Sequence, residues 1–179
     1  MVSFALNGVG VSAGIAIGRA QLVSHATLEV AHYMIPMSKV DAEIARFTNA
    51  VKEVQTELEA LHLAMTGGDV PSEFGAFLDV HWMILTDPTL SETPKKIILD
   101  QRCNAEWALT TQLQVLVDQF EQIEDPYLRE RKSDIVQVGE RVLKRLMGKP
   151  GALPAPVAEE QTILVAHDLS PADVIQFKH

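Results

Sequence analysis

Six histidines, one cysteine and a few glycine-rich and acidic stretches carry whatever chemistry this chain could do. The histidines are His25, His32, His62, His81, His167 and His179. None stands in a His-Glu-x-x-His pattern, so a metal site is not expected. No Gly-x-Ser-x-Gly turn marks a nucleophilic serine, and no Gly-x-x-x-x-Gly-Lys-Ser/Thr loop marks a nucleotide site. The lone Cys103 excludes an internal disulfide framework and a cysteine-based zinc site. Gly8, Gly10, Gly14 and Gly18 could cradle a phosphate, but such a loop needs a helix N-terminus directly after it, and a β-like run follows instead. The sequence thus holds no self-sufficient catalytic constellation.

His81 sits in the run Asp79-Val-His-Trp-Met-Ile-Leu-Thr-Asp. It reads either as a polar residue at the edge of a packed face or, with Met83, Ile84 and Leu90, as part of a ridge that docks a partner protein. Trp82, Trp107 and Phe47 read as core. Arg129, Arg131, Lys132, Arg141, Lys144 and Arg145 read as a solvated helix face, the last three favourably near a helix C-terminus.

The 179 residues include 15 basic and 24 acidic ones, a net charge of −9, and 47% are hydrophobic. That apolar content argues against disorder, and the acidity argues against nonspecific nucleic-acid binding, which needs a basic face. It suits a basic protein partner. The opening residues lack the pattern of a signal peptide and no 18-residue apolar run occurs, so the expected location is the cytoplasm.

The elements that must position these residues follow from periodicity. Residues 1–23 alternate β-branched residues with glycine and predict two short strands. Val40, Ile44, Phe47, Val51, Val54, Leu58, Leu61 and Met65 form one stripe, predicting a helix over 38–65 capped by Ser38 and ended by Gly67-Gly68. A second helix runs from a Ser72 cap to about Thr86, burying Phe74, Phe77, Leu78, Trp82 and Leu85. Asp87-Pro88 starts a third segment that is either one helix kinked at Pro94 or, as favoured here, interrupted near 91–94, with a restart in which Thr93 caps and Pro94 comes first. Asn104 caps a fourth helix carrying Leu109, Leu113, Leu116, Phe120 and Ile123. Asp125-Pro126 starts a fifth, carrying Leu128, Ile135, Val138, Val142 and Leu146 and ended by Gly148 and Pro150. A proline-rich connector leads to a strand at Thr162-Ile-Leu-Val-Ala and a helix capped by Ser170. The expected fold is mostly α with a small α/β part. An antiparallel bundle over 24–147 is inserted into an α/β domain whose pieces are 1–23 and 148–179.

Three stretches together carry a family resemblance: Gly10-Val-Ser-Ala-Gly-Ile-Ala-Ile-Gly-Arg-Ala, His81-Trp-Met-Ile-Leu-Thr-Asp-Pro-x-Leu, and Tyr127-Leu-Arg-Glu-Arg-Lys-Ser-Asp-Ile-Val-Gln-Val-Gly-Glu-Arg. The run Ile163-Leu-Val-Ala-His-Asp-Leu-Ser-Pro-Ala-Asp also fits. In order and spacing the chain resembles Enzyme I of the bacterial phosphoenolpyruvate-dependent sugar phosphotransferase system. The resemblance implies a bundle that docks the phosphocarrier protein HPr, inserted in a phosphohistidine swivel domain. In that family the swivel histidine takes a phosphoryl group from phosphoenolpyruvate, bound with Mg²⁺ on a later barrel domain, and passes it to HPr. By resemblance the docking face comprises Glu73, Ala76, His81, Met83, Ile84 and Leu90, completed by Phe120, Tyr127, Leu128 and Arg131.

Two departures stand out. Thr86, Pro88 and Thr89 make this face less acidic than is usual for the family. The family's Gly-Gly-x-x-Ser-His active-site motif is absent and would follow His179, so the chain reads as an N-terminal fragment without cofactor or catalytic histidine of its own. Ser170 matches a hydroxyl position near that missing histidine. Other readings are a purely structural helical scaffold, or a paralogue from the nitrogen branch or from dihydroxyacetone kinase.

Overall fold

A computed structural model describes residues 8–23, 30–65, 72–148 and 162–166. Among these, strand β1 (Arg19–Val23) and strand β2 (Thr162–Ala166) pair in parallel, with Arg19 opposite Thr162 and Val23 opposite Ala166. Everything from residue 30 to 148 lies between them in the chain, so a helical body separates two neighbouring strands. Only one strand precedes the bundle among the described residues, where two were expected. Val9, Val11, Ile15 and Ile17 keep their alternation, yet they are exposed and form no ladder. Alternation permits a strand; a paired neighbour makes one, and only 19–23 has it.

Helix α1 (Val40–Met65) buries the expected stripe, with Val40, Phe47, Val51, Val54 and Leu58 in the core. Ser38 does not cap it. It lies inside a 3-10 turn, Met37–Lys39, that follows Pro36 and has no side-chain cap bond. Helix α2 (Ser72–Thr86) and helix α3 (Pro88–Ser91) follow, and the Asp87 carboxylate accepts from Thr89 N at 2.7 Å as the sequence suggested. That bond, from the Thr89 side chain and backbone, holds the Asp87 carboxyl below its ordinary value. The interruption falls at Glu92, and Thr93 is the first residue of helix α4 (Thr93–Gln101) rather than its cap.

The start of helix α5 (Ala105–Glu121) shows a division of labour that the sequence hid. Asn104 occupies the cap position without capping. Its amide instead bonds Tyr33 N at 3.2 Å and Ala31 O at 3.0 Å, pinning the segment that enters the bundle. The Glu43 carboxylate of α1 accepts from Ala105 N at 2.7 Å and does the capping from 62 residues away. Beside it, Arg46 grips Glu106 with two hydrogen bonds of 2.8 and 2.7 Å, Glu43 at 2.6 Å and the Leu146 carbonyl at 2.9 Å. One guanidinium thereby joins α1, α5 and the end of the last helix, satisfying a terminal carbonyl.

Burial raises the Glu106 carboxyl, but hydrogen bonds from Arg46, its own backbone and Asn104 outweigh it and leave it lowered. A lowered carboxyl contributes stability above its unfolded value that is lost as pH falls through the folded value. Urea unfolding should therefore show the bundle weakening below about pH 4.5, the ordinary glutamate value. R46M should be less stable at neutral pH, and its deficit should shrink in that acid range. A deficit independent of pH would contradict this account.

The fifth predicted helix is two: helix α6 (Pro126–Glu130) and helix α7 (Lys132–Leu146), hinged at Arg131. Asp125 caps α6 through Tyr127 N at 2.8 Å and Leu128 N at 3.3 Å. Leu128 faces solvent rather than joining the core stripe of Ile135, Val138, Val142 and Leu146. Arg141 and Arg145 are not solvated: both bond the Glu57 carboxylate of α1, at 2.8 and 2.7 Å. Gly148, at φ 64°, ends α7 in a left-handed turn that favours glycine. The Gly67-Gly68 stop, the 149–161 connector and the helix expected after Ser170 lie outside the described residues.

Side-chain pairings fix the directions. Arg46 meets the end of α7 and Glu57 meets Arg141, so α1 and α7 are antiparallel. Leu113 faces Gly139 and Glu121 pairs with Lys132, so α5 and α7 are antiparallel too. Gly139 and Arg141, which carry this long-range order, belong to the third motif above and serve architecture.

Candidate functional site

Helix α2 returns along α1, since Asp79 lies 4.0 Å from His62 while Thr86 shares a groove with Val51. It therefore runs in the same direction as α7. This brings the first half of α2, the end of α5, all of α6 and the start of α7 to one end of the bundle. Glu73, Ala76, Phe120, Tyr127, Leu128 and Arg131 lie in or beside these segments, whereas His81, Met83, Ile84 and Leu90 lie further along, in the second half of α2 and on α3.

Their exposures sort them. Met83 on α2 is 69% exposed, Tyr127 on α6 62% and Leu128 46%. Ala76 is exposed two turns before Met83, about 10 Å along the helix. Ile84 and Phe120 are partly buried against the core. Glu73 is on α2, but its side chain lies outside the described residues.

Two candidates need correction. His81 is 0% exposed and Leu90 2%, so neither can touch a partner directly. His81 stands three residues after Leu78 and four before Leu85, both core residues, and shares their stripe. Its ring packs 3.9 Å from that of Phe77. That spacing was readable in the sequence. Leu90 turns inward because Asp87 and Pro88 set the phase of α3. Both residues belong to the core.

Arg131 is the cation of the site. Its Nη1 donates to Asp134 Oδ2 at 3.0 Å, its Nη2 donates to the Tyr127 hydroxyl at 2.5 Å, and its guanidinium carbon lies 4.9 Å from the Tyr127 ring centre. The bonds to Tyr127 and Asp134 raise its pKa further. Asp134 was missed in reading the sequence, although three residues is one helical turn and the right distance for an ion pair. Arg129 ties α6 to the link that follows α5, donating to the Ile123 and Glu124 carbonyls at 3.1 and 3.0 Å. A short proline-started helix is thus held firmly while its apolar side chains remain in water. Exposed aromatic, aliphatic and arginine side chains on a rigid support suit protein recognition.

Among the described residues no group of three or more His, Cys, Asp or Glu side chains could hold a metal ion. No helix among them is long and apolar enough to cross a membrane.

A helical bundle set between two adjacent parallel strands, with exposed apolar side chains and a held arginine on and beside α6, defines a helical insertion domain. The family model described as "PEP-utilising enzyme, N-terminal" matches residues 7–131, and the chain belongs to that family. Among curated relatives, it is 51% identical to the phosphoenolpyruvate-protein phosphotransferase of Cupriavidus necator over 98% of this chain and 31% of that protein. It is 36% identical to the one of Bacillus subtilis over 96% of this chain and 29% of that protein. The chain therefore spans about 30% of the length of the curated relatives it matches. An NMR solution structure of an Enzyme I protein superposes with a TM-score of 0.74 at 29% identity, covering 92% of this chain and 66% of that one. The N-terminal domain of the nitrogen Enzyme 1 superposes with a TM-score of 0.66 at 28% identity, covering 92% and 65%. The mostly helical fold expected from the sequence is the fold of these relatives.

Proposed function

We propose that this chain is the HPr-docking part of a phosphoenolpyruvate-protein phosphotransferase, an Enzyme I. The observation that carries the reading is the exposed pair Tyr127 and Leu128 beside a fixed Arg131, with Met83 exposed on α2, in a chain of this family. Ala76, Ile84, Phe120 and Glu73 complete the contact, with His81 and Leu90 beneath it. The net charge of −9 favours encounter with a basic carrier. The units of this reading are 1–23 and 148–179 for the swivel part, with Ser170 near its active histidine, and 24–147 for the bundle. The protein works in the cytoplasm, and magnesium enters only through the barrel domain of the whole enzyme.

The chemistry explains the arrangement. Moving a phosphoryl group between two histidines requires both to be held in line with water excluded. A rigid bundle that grips the carrier supplies the position, and a histidine borne on a separate unit supplies the transfer. This sequence contains no Gly-Gly-x-x-Ser-His motif. Incubation with phosphoenolpyruvate or phospho-HPr should leave no acid-labile phosphate on the chain, and label on any of its histidines would overturn that assignment. The direct test is titration of the isotopically labelled chain with HPr, followed by backbone NMR. Shifts should concentrate at 76–84 and 127–131; their absence removes the docking reading and favours a structural scaffold.

A further inference from the structure

We propose that Tyr127 and Asp134 are positioning residues that aim Arg131 at an oxyanion of the docked protein, a carboxylate or a phosphoryl group. This rests on the docking reading and names what its one fixed cation recognises. Three observations carry it.

The first is restraint. An exposed arginine ordinarily samples many rotamers, and holding it costs entropy. Here Asp134 holds one terminal nitrogen at 3.0 Å, the Tyr127 hydroxyl holds the other at 2.5 Å, and the ring lies beneath at 4.9 Å. That cost is met before any partner arrives. The second is spare capacity. A guanidinium has five N–H donors, and no other side-chain bond from Arg131 occurs among the described residues. Its side chain is nevertheless 42% exposed, so donors remain on offer to an incoming group. The third is the charge context. Glu124, Asp125 and Glu130 surround it in sequence on a chain of net charge −9. A basic partner attracted by that field is repelled locally by Arg131 unless it presents an anion there. A fixed cation on an acidic surface therefore selects among basic partners rather than adding general attraction. The planar fork of arginine suits a two-oxygen acceptor, which lysine matches poorly.

The test is a double-mutant cycle on HPr affinity with Y127F, R131K and the double variant, each checked for an unchanged melting temperature. Y127F keeps the ring and removes only the hydroxyl bond; it should weaken binding about three- to tenfold. R131K keeps the charge and loses the fork, and should weaken it about tenfold. The double variant should be no weaker than R131K, because the hydroxyl acts through the guanidinium. Losses that multiply, or a Y127F without effect, overturn the proposal. Wild-type protein that fails to bind HPr at all overturns the docking reading instead. R131Q then identifies the acceptor. A greater loss with histidine-phosphorylated HPr assigns the phosphoryl group. Equal losses with a reduced salt dependence assign a carboxylate. Equal losses with unchanged salt dependence mean a neutral acceptor and overturn the oxyanion assignment.

Discussion

Replacing Leu128 with aspartate should weaken HPr binding by about 30-fold or more, the range of an interface hot spot, while the fold stays intact. Leu128 is 46% exposed on a helix that packs chiefly against α5 and α7, so little core is lost. It is the third residue of α6, next to the helix's positive end, where an added carboxylate is tolerated or favourable. The new charge would, however, sit among Tyr127, Arg131 and the apolar contact, and would have to be desolvated or left to expel the partner. Leu99 provides the control. It is also 46% exposed but lies on α4, outside the candidate surface, and L99D should leave affinity within about twofold. Calorimetric titration of both variants distinguishes the surface from general acidification. Equal losses would show that the face is elsewhere.

The second large effect falls on stability. At Gly139 an added Cβ would sit 2.4 and 2.5 Å from the two methyls of Leu113 and 2.9 Å from its branching carbon. Helices α5 and α7 approach closely there because glycine has no side chain. G139A should cost about 1–3 kcal/mol by overpacking. For a chain of this size that is a fall of several degrees in Tm, about 2–4 °C per kcal/mol. The cause is separable from glycine's helix propensity, which by itself would make alanine favourable. Adding L113A should recover part of the loss in G139A, although L113A alone removes packing. Denaturation of the four proteins of this cycle gives the coupling, and additive effects would refute the close-approach account.

The helices were legible because each carries an apolar stripe that repeats every three to four residues, as Val40 to Leu58 does in α1. Caps that act within a few residues were legible too: Asp87 and Asp125 bond the amides immediately after them. What failed were features set by distant partners. Glu43 caps α5 across 62 residues, and no local pattern shows that Asn104 is thereby free to hold residues 31–33. Leu128 and Ile135 are seven apart, which fits one continuous helix, so the break at Arg131 was invisible. His81 shows the opposite failure. Its spacing from Leu78 and Leu85 already placed it inward, and the chemical interest of histidine outweighed the geometry. Arg141 of α7, read as part of a solvated face, instead helps hold the bundle together through Glu57.

The parallel pairing of β1 with β2 has a topological consequence. Antiparallel neighbours can be joined by two residues, whereas parallel ones need a crossover of a dozen or more. The chain leaves β1 beside Ala166 and must come back to Thr162 beside Arg19, about 13 Å away along the strand. The entire bundle is that crossover. A protein engineer could not delete it and splice Val23 to Thr162 with a tight hairpin loop without reversing a strand. Swapping in a different crossover of sufficient reach, by contrast, would preserve the sheet's wiring while replacing the surface the bundle presents.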